Sequence, residues 1–404
     1  MVYDVGAVRE HFPALKEGVA HFDGPGGSQV PDVVADAVAA TLCAGIANRG
    51  TVTAAERRAD EVVVAARRAT ADLLGAAPDG IVFGRSMTQL TYDFARTLAK
   101  GWGPGDEVVV TTLDHDANIR PWVHAARACG ATVRWAEFDP ATGELGVDAV
   151  AAVLSGRTRL VAVTGASNLL GTRPDVPAIA AGAHAAGALV YVDGVHLTPH
   201  APVDVAALGA DFFACSPYKF LGPHLGLVAA RPELLETLHP DKLLPASDAV
   251  PERFELGTLP YELLAGTTAA IGFLSDLVPG GAGDGTRRAR LVASMRALEA
   301  HESALAARLE AGLADVPGAV MYGSPRRPRT PTVLFSIAGV PPQAVYERLA
   351  ERGVNAPASS FYAVECARRL GLGDGGAVRA GIAPYTDEAD VDRLLAGVAA
   401  IACG

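Results

Sequence analysis

The sequence predicts an α/β protein: a mostly parallel central sheet with helices on both faces, followed by a smaller α+β domain. Three observations carry that prediction. From about Ile81 to Ala230, short apolar runs alternate with longer amphipathic stretches. A breaker cluster, VPGGAGDG at 278–285, then interrupts the chain. Beyond it the rhythm changes to a long charged helical stretch and a new set of strands and helices.

The elements follow in order. The predicted strands are IVF (81–83), EVVVTT (107–112), ATVRWAEF (131–138), RLVAVTG (159–165), ALVYVDG (188–194) and DFFACS (211–216). Their β-branched and aromatic residues suit a pleated, buried surface. Helical patterns at 87–99, 118–129 and 175–186 lie between them. Such alternation implies parallel strands joined by crossover helices. Gly-Pro-Gly-Asp (103–106) supplies a turn before its strand. After the breaker cluster come a helix over about Thr286–Ala314, a strand near 331–337, a helix near 341–352, a strand near 377–382 and a last helix from about 386. Thr386 and Asp387 can cap that helix, and acidic residues in its first turn complement its dipole. The predicted division is a large domain over 1–280, with an N-terminal arm at 1–30, and a small domain over 281–404. The chain has no internal repeat and no low-complexity segment.

Half of the 404 residues are hydrophobic and 20% are charged, as in a globular protein. A formal charge of -11 argues against a broad nucleic-acid surface, and no apolar run approaches the length of a membrane span. The five cysteines are scattered without C-x-x-C spacing, which argues for reduced thiols rather than zinc ligands. No basic-then-apolar leader opens the sequence, so the expected location is the cytoplasm.

In open parallel sheets, ligands gather at the carboxyl ends of the strands. Polar clusters fall there repeatedly: Arg85-Ser86-Met87-Thr88, Asp114-His115-Asp116, Ser167-Asn168, Asp193-Gly194-Val195-His196 and Ser216-Pro217-Tyr218-Lys219. Pyridoxal 5′-phosphate (PLP) chemistry needs four things at one place. It needs an amine for an imine, a carboxylate beside the pyridine nitrogen, a flat ring against the cofactor, and donors at a helix N-terminus for the phosphate. Lys219, Asp193, His115 and the helix start at Ser86–Thr88 would supply all four.

VDGVHLTPH (192–200) with SPYKFLGP (216–223) resembles the class V aminotransferase family, and within it the cysteine desulfurase-like group. LDHDANIRPW (113–122), ASNLLGT (166–172), FELGT (254–258) and VRAGIAPYTDEADVDRLL (378–395) extend the resemblance over most of the chain. It implies the PLP-dependent transferase fold type I and a homodimer with a shared site. It implies that Lys219 is the Schiff-base lysine, that Asp193 pairs with the pyridinium and that His115 stacks on the ring. Asn168 and His196 would lie near the phenolic oxygen, and Ser86, Met87, Thr88, Ser216 and Tyr218 around the cofactor. Thr258 would reach the second protomer's phosphate, and Arg379 would clamp a substrate carboxylate.

The departures shape the expected reaction. Ser86-Met87-Thr88 replaces the family's Gly-Thr-Thr, so Met87 can donate only its amide. Tyr218 stands where desulfurases often have His, and His196 where they often have Gln. The stretch that holds the persulfide-forming cysteine reads NAPASSFYAVECARRLGLG (355–373), with SSFY at 359–362 and no Cys there. Cys366 is nearby in a helical context and reads as a packed thiol. Phe361 and Tyr362 either pack in the small domain or line the substrate pocket. His115 between two acids lacks the further ligands of a metal site; His196 and His200 have the spacing of helical zinc ligands, but Pro199 and the strand context argue against that role. Gly371, Gly373 and Gly376 follow a helix and precede a strand, the reverse of a dinucleotide fingerprint. The expected function is a C–S β-elimination lyase acting on an L-amino acid without a protein persulfide. A PLP-dependent aminotransferase, epimerase or deaminating or decarboxylating enzyme is the alternative, and a non-catalytic binding protein on the same scaffold is a third.

Overall fold

The computed structural model describes residues 3–278, 285–323 and 329–404. Seven strands form the main sheet: β1 (Ile81–Gly84), β2 (Glu107–Thr111), β3 (Thr132–Ala136), β4 (Thr158–Thr164), β5 (Leu189–Asp193), β6 (Phe212–Cys215) and β7 (Gly226–Ala230). Their spatial order is β1-β7-β6-β5-β4-β2-β3. The pairs β2–β3, β2–β4, β4–β5 and β5–β6 are parallel. Only β7 runs against its neighbours, β6 and β1. The carboxyl ends of β1, β2, β4, β5 and β6 therefore share one rim, and Gly226 at the start of β7 joins them.

Both faces of this sheet are buried. Val109, Val161 and Val163 enter one core, while Val108, Val110 and Leu160 enter the other. That is the period-two alternation of a strand, with apolar residues at every position because helices cover both sides. The helices that matter for the site are α1 (Ala54–Leu74), α2 (Met87–Ala99) and α3 (Arg120–Cys129). Thr53 and Glu56 start α1 with a capping box, and Ser86 caps α2 by accepting from the Gln89 amide.

The C-terminal part opens with a long helix, α4 (Arg287–Ala314), followed by β8 (Ala319–Met321), β9 (Thr332–Ile337), α5 (Val364–Arg369) and β10 (Ala377–Gly381). Antiparallel pairing joins β9 to β8 and to β10. A final helix, α6 (Glu388–Ala402), starts with a capping box between Asp387 and Asp390. The expected domain boundary at residue 280 lies outside the described residues. The N-terminal arm touches both parts: Ala20–His21 pairs with Val354–Asn355, and the Ser28 amide donates to the Tyr218 carbonyl at 3.0 Å. No described helix is long and apolar enough to cross a membrane.

Candidate active site

A cavity of about 750 Å³ opens at the shared rim. Lys219 reaches it from a single 3-10 turn, Pro217–Lys219, directly after β6. Pro217 sets the first turn residue, and the Lys219 amide closes the turn on the Ser216 carbonyl at 3.0 Å. The Lys219 amine donates to the Pro25 carbonyl and stands 4.9 Å over the Tyr218 ring. Tyr218 in turn stacks on His224 at 4.8 Å. Burial, aided by the positive charge of Arg379, lowers the Lys219 pKa to about 7.

Asp193 ends β5 inside the same cavity, with its carboxylate accepting from the Val195 amide at 3.0 Å. Burial raises its pKa to about 6, against the pull of Val195 and Lys219. Gly194 is required beside it, because any Cβ there would strike the Phe213 ring. Asn168, on the loop after β4, donates from Nδ2 to the Phe361 carbonyl at 3.0 Å. Its Oδ1 is buried and has no hydrogen-bond partner.

His115 is presented by a locked turn. Asp114 beneath it accepts from Thr111 Oγ1 and from Asn118 Nδ2, and Asn118 Oδ1 accepts from Trp122 Nε1 at 3.1 Å. His115 Nδ1 accepts from the Ala117 amide at 3.0 Å, which leaves the ring proton of the neutral form on Nε2. Burial, followed by the charges of Lys219 and Arg379, presses His115 down to about 4, so the ring is neutral at pH 7. Asp114 is fully buried, and that burial pushes it up to about 8.

Ser86, Met87 and Thr88 line the cavity at the start of α2. The first amides of a helix have no partner within it, so those of Met87 and Thr88 face outward at the positive end of the dipole. The Met87 side chain is buried, leaving only its amide for the site. Gly226 lets β7 pass this helix start, since a Cβ would meet the Met87 nitrogen.

Arg379, on β10, reaches the cavity from the C-terminal part. It donates to the Asn168 carbonyl at 2.9 Å and lies 3.7 Å over the Phe361 ring. Its Nε is buried without a partner. Burial lowers its pKa to about 9, so the guanidinium remains charged at neutral pH. Phe361 and Tyr362 both line the cavity, and both have positive φ, 51° and 58°. The Asp116 amide holds the Tyr362 carbonyl at 2.8 Å, and the Tyr362 ring stacks on His115 at 5.6 Å. Strain of this kind costs about 1–3 kcal/mol per residue and gathers at functional sites.

Ser216 and His196 also line the cavity, and His196 pairs with Thr332 at 3.0 Å. Thr258 is the exception: it is exposed on its loop and does not line the cavity of its own chain. Cys366 sits buried in α5, where burial pushes its thiol up. Sequence reasoning missed the strap at Pro25–Gly26 and the mouth residues Tyr92, Arg120 and His124. The run DGPGGS at 23–28 is a turn signal that could have flagged the strap. All three mouth residues lie on helices; Arg120 stands inside LDHDANIRPW (113–122), a run that could have flagged it, while Tyr92 and His124 lie in no such motif.

Residues 20–394 match the Aminotransferase class-V family. An uncharacterized Mycobacterium tuberculosis protein, MT3887, is 36% identical over 99% of this chain and 100% of its own length. The aminotransferase-like protein FGM3 of Gibberella zeae is 32% identical over 97% of each chain. The solved apo structure of a cysteine desulfurase from Thermococcus onnurineus superposes with a TM-score of 0.89 at 26% identity, covering 99% of this chain and 98% of that one. The chain therefore belongs to the class-V aminotransferase family, with the type I fold of PLP-dependent transferases.

Proposed function

We propose that this protein is a PLP-dependent lyase that breaks the Cβ–S bond of an L-cysteine-like or S-substituted amino acid without a protein persulfide. One observation carries the reading. The cavity brings together an amine, a carboxylate, a neutral imidazole and a guanidinium, and none of the five cysteines lines it.

The residues fit the cofactor. The Met87 and Thr88 amides, with Ser86, Thr88 and Ser216, suit a phosphate at a helix start. Asp193 suits the pyridine nitrogen, His115 the ring face, and His196, Asn168 and Tyr218 the remaining edge. The unpartnered Asn168 Oδ1 and Arg379 Nε are the buried polar atoms that bound groups would satisfy. When bound, PLP supplies an aldehyde for the substrate amine and a ring that takes up the electron pair left at Cα.

The chain's own residues do the rest. Arg379 holds the α-carboxylate through a planar fork, which leaves the Cα–H bond rather than the carboxylate bond facing the electron sink. Lys219, with its amine poised near neutrality, takes the Cα proton. The thiolate then leaves Cβ and gains a proton. Water completes the balance, giving a thiol, pyruvate and ammonium from one S-substituted cysteine and one water. Phe361 and Tyr362 wall the side-chain end of the pocket. Thr258, exposed on its loop, belongs to the phosphate site of a second copy in a homodimer.

Incubating the PLP-loaded protein with L-cysteine and S-substituted cysteines tests the reading. The expected result is pyruvate with an equal amount of sulfide or thiol. Amino-group transfer to a 2-oxo acid, with no thiol released, would overturn it in favour of an aminotransferase.

A further inference from the structure

His196 lines the cavity, yet its ring is only the first of a line of buried polar groups. The segment after β5 makes a helical turn: the Thr198 amide and hydroxyl bond to the Gly194 carbonyl, and the His200 amide to the Leu197 carbonyl. That turn sets His196 and His200 edge to face, with centroids 5.1 Å apart. His200 Nδ1 then meets the carboxylate of Glu302, in the middle of α4, at 2.9 Å. On its other side His196 Nε2 meets the Thr332 hydroxyl of β9 at 3.0 Å. Both ends of the line thus lie in the C-terminal part, and the two imidazoles lie in the large domain.

Stability does not explain this arrangement. Glu302 is 0% exposed, and its Oε1 has no hydrogen-bond partner. A buried ion pair with one oxygen left empty is commonly matched or bettered by apolar residues of the same volume. Its value lies in what it does to the cavity wall. An imidazole there can turn its ring and change its charge, so something must hold both. Thr332 fixes one nitrogen and His200 fixes the ring face. Glu302 pairs with His200 Nδ1 at 2.9 Å and so fixes that ring.

We infer that Glu302 and His200 are positioning residues that act through His196, holding its imidazole uncharged and in one orientation against the bound cofactor. The inference rests on the reading that His196 faces that cofactor. The charged and titratable groups around the line fit. Burial first, then His200, Arg379 and Lys219, press the protonation of His196 well below the usual imidazole range. Glu302 is faced by His200, by Glu299 and by the phenols of Tyr3 and Tyr385, and burial raises its pKa.

Nitrogen-15 NMR of histidine-labelled apo protein tests this without the cofactor. In the wild type, His200 should carry a hydrogen-bonded proton on Nδ1, and His196 should show one neutral tautomer. Glu302→Gln keeps an acceptor but removes the negative charge that holds a proton on His200; as the repulsion from His200 weakens, the His196 protonation midpoint should rise. Glu302→Leu removes both, and His196 should show mixed tautomers. Glu302→Asp should restore the wild-type pattern. In the PLP-loaded protein, the pH midpoint of the visible band should move in Glu302→Gln, which a merely structural role would not produce. A wild-type His200 without a proton on Nδ1, or His196 signals unchanged in folded Glu302→Gln and Glu302→Leu, overturns the inference. Absence of any visible band would instead overturn the cofactor reading and leave the NMR result standing.

Discussion

At the residue scale, burial sets the chemistry. Lys219, Asp193, His115 and Asp114 are all pushed toward their neutral forms by burial before any neighbour acts. Lys219 near pH 7 makes a direct prediction. Capture of PLP by the apo protein, followed by visible absorbance, should accelerate as pH rises through about 7, far below the ordinary lysine value of 10.5. Lys219→Ala should show neither the band nor turnover. Asp114 gives a second prediction. Its folded pKa is raised from 3.8 to about 8, so the stability that its neutral form contributes is lost as pH rises through that window. Asp114→Asn stays neutral throughout, and its melting temperature should fall less than that of the wild type across the same range. Lys219, Asp193 and His115 were legible because each lies at or just beyond the carboxyl end of a strand, within a recognisable run. Their pKa values were not legible, since those depend on burial and, for Lys219 and His115, on Arg379, which lies 160 or more positions away in sequence.

At the scale of elements, the start of α2 is the point of greatest sensitivity. Its outward amides depend on Ser86 as cap and on Gly226 as a gap in β7. Ser86→Ala should cost about 1 kcal/mol of stability, measured by urea unfolding. Gly226→Ala should do more, because the added Cβ must displace the backbone that carries the phosphate donors. Overpacking of this kind costs about 1–3 kcal/mol, and cofactor titration should show weaker PLP binding. The strands from β1 to β6 were readable to within about two residues, because apolar runs between helical stretches leave little ambiguity. β7 was not read. GLVAA at 226–230 is short and follows a Gly-Pro-rich loop, and nothing local announces its antiparallel direction. Neither was the pairing of Ala20–His21 with Val354–Asn355, because two residues carry no periodicity.

At the scale of the whole molecule, the site is assembled from the carboxyl rim of the central sheet, the N-terminal strap and the C-terminal part. A further contribution is expected from a second copy. Arg67 holds the loop that would make it: its guanidinium grips Glu255 at 2.8 Å, two residues before the exposed Gly257-Thr258 turn. Thr258→Val should leave the fold intact yet weaken PLP binding, although Thr258 is outside its own cavity. Sedimentation should show a dimer, and a monomer that binds PLP as tightly as the wild type would contradict the shared site. The pattern of apolar runs and turn residues was enough to specify the α/β architecture, the strand-end clusters and the lysine, acid and imidazole among them, because those signals are local. Three-dimensional packing alone decided that Arg379 meets Asn168, that Phe361 and Tyr362 enter the pocket, and that His200 finds Glu302 across 102 positions. Such contacts are chosen by the free energy of burying whole surfaces against each other, and that quantity has no signature in any short stretch of chain.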